Sequence, residues 1–169
     1  PLVIASNAGH EEIVRALINA GAQVDLSCGG DDYKRSALHD AALLNRFECV
    51  RLLLAAGANP NVRCTENSTP LHNAIRVAEC SDVVELLLAG GAEVDPVDSD
   101  GLTPLLYGLS YDCSCSAIDA LIKAGADVNF RSPHKVAPIH EAKNFEMMEK
   151  LILAGADVNA QDENGRTVL

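Results

Sequence analysis

Apolar side chains return along this chain in a regular beat. Val83, Val84, Leu87 and Leu88 stand three and four residues apart, which sets them on one face of a helix, and a Gly-Ala pair follows at Gly91. Such pairs begin at Gly21, Gly57, Gly91, Gly125 and Gly155, separated on subtraction by 36, 34, 34 and 30 residues. Upstream of the last four lies a short motif, in turn Ser36-Ala37-Leu38-His39, Thr69-Pro70-Leu71-His72, Thr103-Pro104-Leu105-Leu106 and Ala137-Pro138-Ile139-His140. Self-similarity at this period marks a repeat architecture.

One period reads as helix, turn, helix and extended loop. Thr69 is placed to cap the first helix, and Pro70 falls in its first turn, where the missing amide hydrogen costs nothing and the fixed φ suits the helix. The valine and leucine stripe forms the second helix, and Gly91 stops it by turning left-handed. Glu93-Val94-Asp95 then runs extended into the turn-rich Asp98-Ser99-Asp100-Gly101. A unit this small cannot cover its own apolar face, so neighbouring units must stack to make a core.

These motifs resemble the ankyrin repeat, whose units of about 33 residues carry a TPLH start and a Gly-Ala-Asp-Val-Asn ending. Gly125 to Asn129 and Gly155 to Asn159 match that ending letter for letter. The fold expected is all-α, an ankyrin-repeat solenoid of stacked helix-turn-helix units with extended hairpin loops. Units are expected at 1–30, 31–63, 64–97, 98–131 and 132–161, with a sixth begun at 162–169 and more continuing on both sides.

Several departures give the chain its own character. Cys28-Gly29-Gly30 looks like an insertion before the second unit. From Thr69 to Gly91 and from Thr103 to Gly125 there are 22 steps, against 21 from Ser36 to Gly57, so those inter-helix turns are expected to be one residue long. Only 18 steps separate Ala137 from Gly155, and about one helical turn must be missing there.

The resemblance also says where a partner would touch. In this family the loop tips and the exposed faces of the first helices line a concave surface that binds other proteins. The residues this places there are Asp32, Tyr33, Arg35, Leu43 and Leu44 in the second unit, Glu66 and Arg76 in the third, Asp100, Leu102 and Tyr111 in the fourth, and His134 in the fifth. Aromatic and arginine anchors are the usual hot-spot chemistry. The resemblance further implies that Asn129 and Asn159 match hairpin asparagines modified by an oxygen-sensing hydroxylase. Leu38 to Ala42, Glu48 to Leu54 and Pro138 to Ala142 are similar to substrate receptors in which an ankyrin array precedes a SOCS box and recruits a cullin ubiquitin ligase.

Composition narrows the remaining classes. A formal net charge of −11 repels phosphate backbones and anionic lipid, so no nucleic acid partner is expected. The apolar runs fall short of the ~20 residues a bilayer span needs. Six cysteines at irregular spacing in a chain of 169 residues read as reduced intracellular thiols, cytoplasmic or nuclear, in a monomeric fragment. No GxSxG, Walker lysine loop, HExxH or dinucleotide fingerprint is present, and neither an enzyme nor a cofactor is expected.

Two clusters carry residual chemistry. His39, His72 and His140 share one position, three residues after a helix start, where a side chain can bond back to that start; Leu106 takes the place in the fourth unit, as a packing site allows. His134 has no evident partner in the sequence. Cys113 and Cys115 lie in one inter-helix turn and Cys80 in the preceding one, but helices packed ~8 to 10 Å apart put them too far for an undistorted disulfide, and zinc would want a further ligand.

Overall fold

In the computed structural model, which describes residues 1–28, 34–77, 80–111 and 113–168, helix pairs follow the period read from the sequence. Helices α1 (Leu2–Ala8) and α2 (Glu11–Asn19) come first. They are followed by α3 (Ala37–Leu43) with α4 (Phe47–Ala55), α5 (Pro70–Ala74) with α6 (Ser81–Ala89), and α7 (Pro104–Ser110) with α8 (Cys115–Lys123). A 3-10 turn, Pro138–Glu141, stands in for the next first helix before α9 (Phe145–Leu153). Between α2 and α3 two short strands, β1 (Ser27–Cys28) and β2 (Arg35–Ser36), pair antiparallel with Ser27 opposite Ser36.

The residue before each first helix sets its start. Ser36 and Thr103 are extended, and their hydroxyls accept hydrogen bonds from the backbone N–H of His39 and Leu106, each at 3.4 Å. Pro70 and Pro104 occupy the first helical turn. At the other end Gly91, at φ 91°, reverses the chain after α6, so that Ala92 N–H donates to Leu87 O at 3.0 Å.

First helices pack on first helices, α1 through α7 and on to the 3-10 turn, while α2, α4, α6, α8 and α9 form a second row. Leu38, Leu71, Leu105 and Ile139 come from the first row, and Leu53, Leu87, Leu121 and Leu151 from the second; all eight are at most 1% exposed. They recur at matching places in the units and join one continuous apolar core. Each such side chain contributes about 1.5–3 kcal/mol relative to exposure. In the fifth unit the missing residues come out of the first helix, which shrinks to the four residues of the 3-10 turn against seven in α7. The two inter-helix turns expected to be long contain residues 78–79 and 112, outside the described residues.

The hairpin loops are fastened to one another by a ladder at the fifth residue of each Gly-Ala ending. Asn61 Nδ2 donates to Gly91 O at 3.0 Å and its Oδ1 accepts from Glu93 N at 2.7 Å; Asn129 repeats both bonds with Gly155 O and Asp157 N at 2.9 and 2.8 Å. Asp25 and Asp95 hold the same rung and accept from Asn59 N and Asp127 N at 2.9 and 3.0 Å. A carboxylate has no N–H for the second bond. Asp95 Oδ1 is accordingly buried without a partner among the described residues, and burial raises the Asp95 pKa above 3.8.

Asp95→Asn supplies the missing donor and is expected to stabilise the fold by about 1 kcal/mol at neutral pH, read as an upward shift in urea midpoint. Because folding raises this pKa, the wild-type fold holds the proton more tightly than the unfolded chain does. Its penalty is full above the raised pKa and fades as the pH falls towards 3.8, so the advantage of the variant shrinks in acid.

Candidate partner-binding face

The imidazoles of His39 and His72 are structural ties between units. Ser36 N–H donates to His39 Nδ1 at 3.2 Å, which leaves the proton on Nε2, and Nε2–H donates to Ser68 O in the next unit at 3.1 Å. His72 repeats the arrangement with Thr69 N at 3.2 Å and Leu102 O at 3.2 Å. Ser68 and Leu102 are the residues immediately ahead of the next caps, so one ring fixes a helix start and the following hairpin together. Burial lowers the pKa of both His39 and His72, which favours the neutral ring these bonds require. His140 bonds Ala137 N and Ala160 O at 3.0 and 2.9 Å.

Between the second and third units a cleft of about 280 Å³ opens, lined by Arg35, Leu43, Cys64, Thr65, Glu66, Asn73 and Arg76. Four residues expected at a partner surface, Arg35, Leu43, Glu66 and Arg76, therefore meet in one place. Arg35 Nη1 lies 3.6 Å from Asp40 Oδ1. Among the described residues Arg76 pairs with no carboxylate; its guanidinium stands 5.7 Å above the ring of Tyr107, which stacks on Tyr111 with centroids 4.6 Å apart. Burial pushes the Tyr107 phenol up to about 12, so it stays neutral. Arg76 thus joins the cleft to an aromatic stack whose outer ring, Tyr111, is 60% exposed.

The other expected residues are spread out. Leu44 is 40% exposed at the end of α3, near Phe47 in sequence and similarly open, whereas Leu43 is half-buried. Asp100 is exposed at a hairpin tip. Leu102 is half-buried against the core, and its carbonyl accepts the hydrogen bond from His72 Nε2–H. His134 is exposed but, contrary to the sequence reading, has a partner: Nδ1 lies 3.6 Å from Glu163 Oε2, because consecutive hairpin tips stand side by side. Asp32 and Tyr33 lie outside the described residues. Of the two asparagines, Asn129 is locked into the hairpin ladder, while Asn159 is exposed and its side chain makes no cross-unit bond among the described residues. Sequence reasoning passed over Tyr107 and Asn73. The four-residue spacing of Tyr107 from Tyr111 within one helix was the signal available for the first.

The expected separation of the cysteines is overturned. Cys80 Sγ and Cys113 Sγ are 3.4 Å apart and both residues are buried. Helix axes do stack at the usual distance, but Cys80 stands one residue before α6 and Cys113 two before α8, so their side chains point across the unit boundary and close the gap. Cys115 is half-exposed, and no three His, Cys, Asp or Glu residues gather as a metal site among the described residues.

Stacked helix pairs joined by fastened hairpins define a repeat solenoid. The family model described as "Ankyrin repeats (3 copies)" matches residues 1–64 and 56–132, and the chain belongs to the ankyrin repeat family. It is 47% identical over 72 residues to Ankyrin repeat and SOCS box protein 16 of Homo sapiens, covering 43% of this chain and 15% of that protein. It is 44% identical over 64 residues to E3 ubiquitin-protein ligase KEG of Arabidopsis thaliana, covering 38% of this chain and 4% of that one. With Neurogenic locus notch homolog protein 1 of Xenopus tropicalis the identity is 37% over 71 residues, 42% of this chain and 3% of the relative. The matched stretch is thus a small part of each relative. Ankyrin repeats are generally protein-interaction modules and typically non-catalytic. No helix among the described residues is long and apolar enough to cross a membrane.

Proposed function

We propose that this chain is a non-catalytic scaffold, one array of units, that holds a protein or peptide along its concave face across the second to fourth units. The observation that supports the reading is the cleft of Arg35, Leu43, Glu66 and Arg76 running into the Tyr107–Tyr111 stack. It offers a cation with no acidic partner among the described residues beside exposed apolar surface at Leu44 and Tyr111, so a segment carrying a carboxylate next to an apolar side chain fits it. Asp100, exposed at its hairpin tip, extends the same face in this reading.

Affinity capture from a cell extract tests it, using the wild type beside Arg76→Glu, Leu44→Asp and, on the second row of helices, Leu153→Ser, whose native leucine is 81% exposed. Proteins held by the wild type are expected to fall about tenfold with either of the first two, a loss of ~1.4 kcal/mol, and to persist with the third. Equal capture by all four would reject the assignment of the face.

A narrower reading makes the chain the substrate-recognition part of a cullin ubiquitin ligase receptor of the ankyrin repeat and SOCS box type. It is favoured by the 47% identity to a protein of that name.

A further inference from the structure

We propose that Cys80 and Cys113 form a modification site that a hydroperoxide closes into a disulfide between the third and fourth units. Thirty-three positions separate them in the chain, yet their sulfurs touch at 3.4 Å. Of the other cysteines, Cys28 is exposed, Cys49 is buried, and Cys64 and Cys115 are half-exposed. A disulfide needs the sulfurs at about 2.05 Å, so they must close by little more than an ångström. Both residues lie just outside helices, where χ1 and loop backbone can supply that movement without unwinding α6 or α8.

The surroundings favour different roles for the two thiols. The contact between the sulfurs lowers the Cys113 pKa and raises that of Cys80. Cys113 therefore gives up its proton more readily of the two and is the attacking sulfur, with Cys80 the resolving one. A thiol as buried as Cys113, 3% exposed, admits a small oxidant far better than a bulky one. Hydrogen peroxide or a short alkyl hydroperoxide fits, whereas an alkylating reagent meets Cys28 first.

The chemistry balances. Cys113 Sγ attacks one peroxide oxygen, the O–O bond breaks, and the leaving oxygen takes a proton to depart as water or alcohol, leaving a sulfenic acid. Cys80 Sγ then attacks Cys113 Sγ as its proton leaves with the sulfenic oxygen, which departs as water. The two sulfurs together lose two electrons and the peroxide gains them. Nearness of the second thiol is what makes the first oxidation productive, since the sulfenic acid is captured before it can go further or revert.

The bond would fasten the segment that carries Arg76 to the one that carries the aromatic stack, since Cys80 is four residues after Arg76 and Cys113 two after Tyr111. The alternative is that the thiols merely pack across the boundary as small apolar groups.

Peptide mapping decides between them. The folded, reduced chain is treated with hydrogen peroxide, quenched, alkylated in concentrated urea and digested. Trypsin leaves both cysteines on the single fragment Val77–Lys123, so a Glu-specific protease must also cut at Glu85 and Glu93, and fragment-ion spectra of Val94–Lys123 tell Cys113 from Cys115. The expected product is one Cys80–Cys113 link, two hydrogen masses lighter than the reduced pair and reversed by dithiothreitol. In chains oxidised while unfolded in urea, links should scatter among the six cysteines.

Cys80→Ala should leave Cys113 as a sulfenic acid trapped by dimedone, and Cys113→Ala should leave Cys80 unmodified. Recovering Cys80 and Cys113 alkylated while Cys28 is oxidised, or finding Cys113 joined to Cys115, overturns the proposal. The wild-type map alone decides between these outcomes, even where a variant folds poorly.

Discussion

His72→Ala is expected to destabilise the fold by about 3 kcal/mol, the lost bonds and the cavity acting together. The ring is 1% exposed. Its loss leaves Thr69 N–H without the Nδ1 acceptor, whereas Leu102 O, which also accepts from Asp98 N at 3.1 Å, is only partly orphaned. His72→Leu, the residue the fourth unit carries as fully buried Leu106, keeps the volume and should lose less than the alanine variant. Urea midpoints of the two variants separate the cavity from the bond.

A pH dependence follows from the same ring. Folding lowers the pKa of His39 and His72 below 6.5, so the unfolded chain takes up protons first as the pH falls. The stabilisation is complete above about 6.5 and drains away below it, and His72→Leu should flatten the slope of urea midpoint between pH 7 and pH 5. A slope unchanged by that substitution would remove His72 from the account.

Gly108→Val should do comparable damage by the opposite route, about 3 kcal/mol from overpacking rather than from a void. Gly108 lies within α7, and a β-carbon there would stand 2.7 Å from Ile75 Cγ1 and 3.1 Å from Ile118 Cδ1. The absence of a side chain lets α7 approach its neighbours on both sides. Gly108→Ala would gain up to ~1 kcal/mol of helix propensity and still lose on balance. Combined with Ile75→Ala, which removes the nearest atoms, it should cost less than the sum of the two, by about 1 kcal/mol in thermal or urea denaturation. Strict additivity would mean that the contact is relieved by some other movement.

Much of the fold was legible because its signals are local and repeated. Thr69-Pro70 and Gly91 define where helices begin and end through backbone chemistry alone, and the valine and leucine stripe says which face is buried. The shortened fifth unit could be read by counting. What could not be read depends on the angle at which a side chain crosses a boundary. Cys80 and Cys113 were placed by helix spacing, which is correct for axes and wrong for thiols reaching towards each other. His134 and Glu163 meet because hairpin tips lie abreast, a fact of three dimensions. For the partner surface, exposure had to be inferred from register, and this succeeded for Arg76 and Tyr111 but assigned too much surface to Leu43 and Leu102, whose apolar bodies turn inward.

The 3-10 turn of the fifth unit bears on how such a chain can change in length. With three residues fewer between motif and glycine than in the second unit, its first helix is reduced, and His140 bonds a different place, Ala160 directly after the hairpin asparagine and 20 positions on, where His39 and His72 reach 29 and 30 positions to the residue ahead of the next cap. The His39 and His72 ties and the Asn61 and Asn129 rungs join fixed places in adjacent periods, so a gene that duplicates or drops a whole period leaves those donors facing matching acceptors. A deletion of a few codons enjoys no such immunity and must be absorbed within one unit.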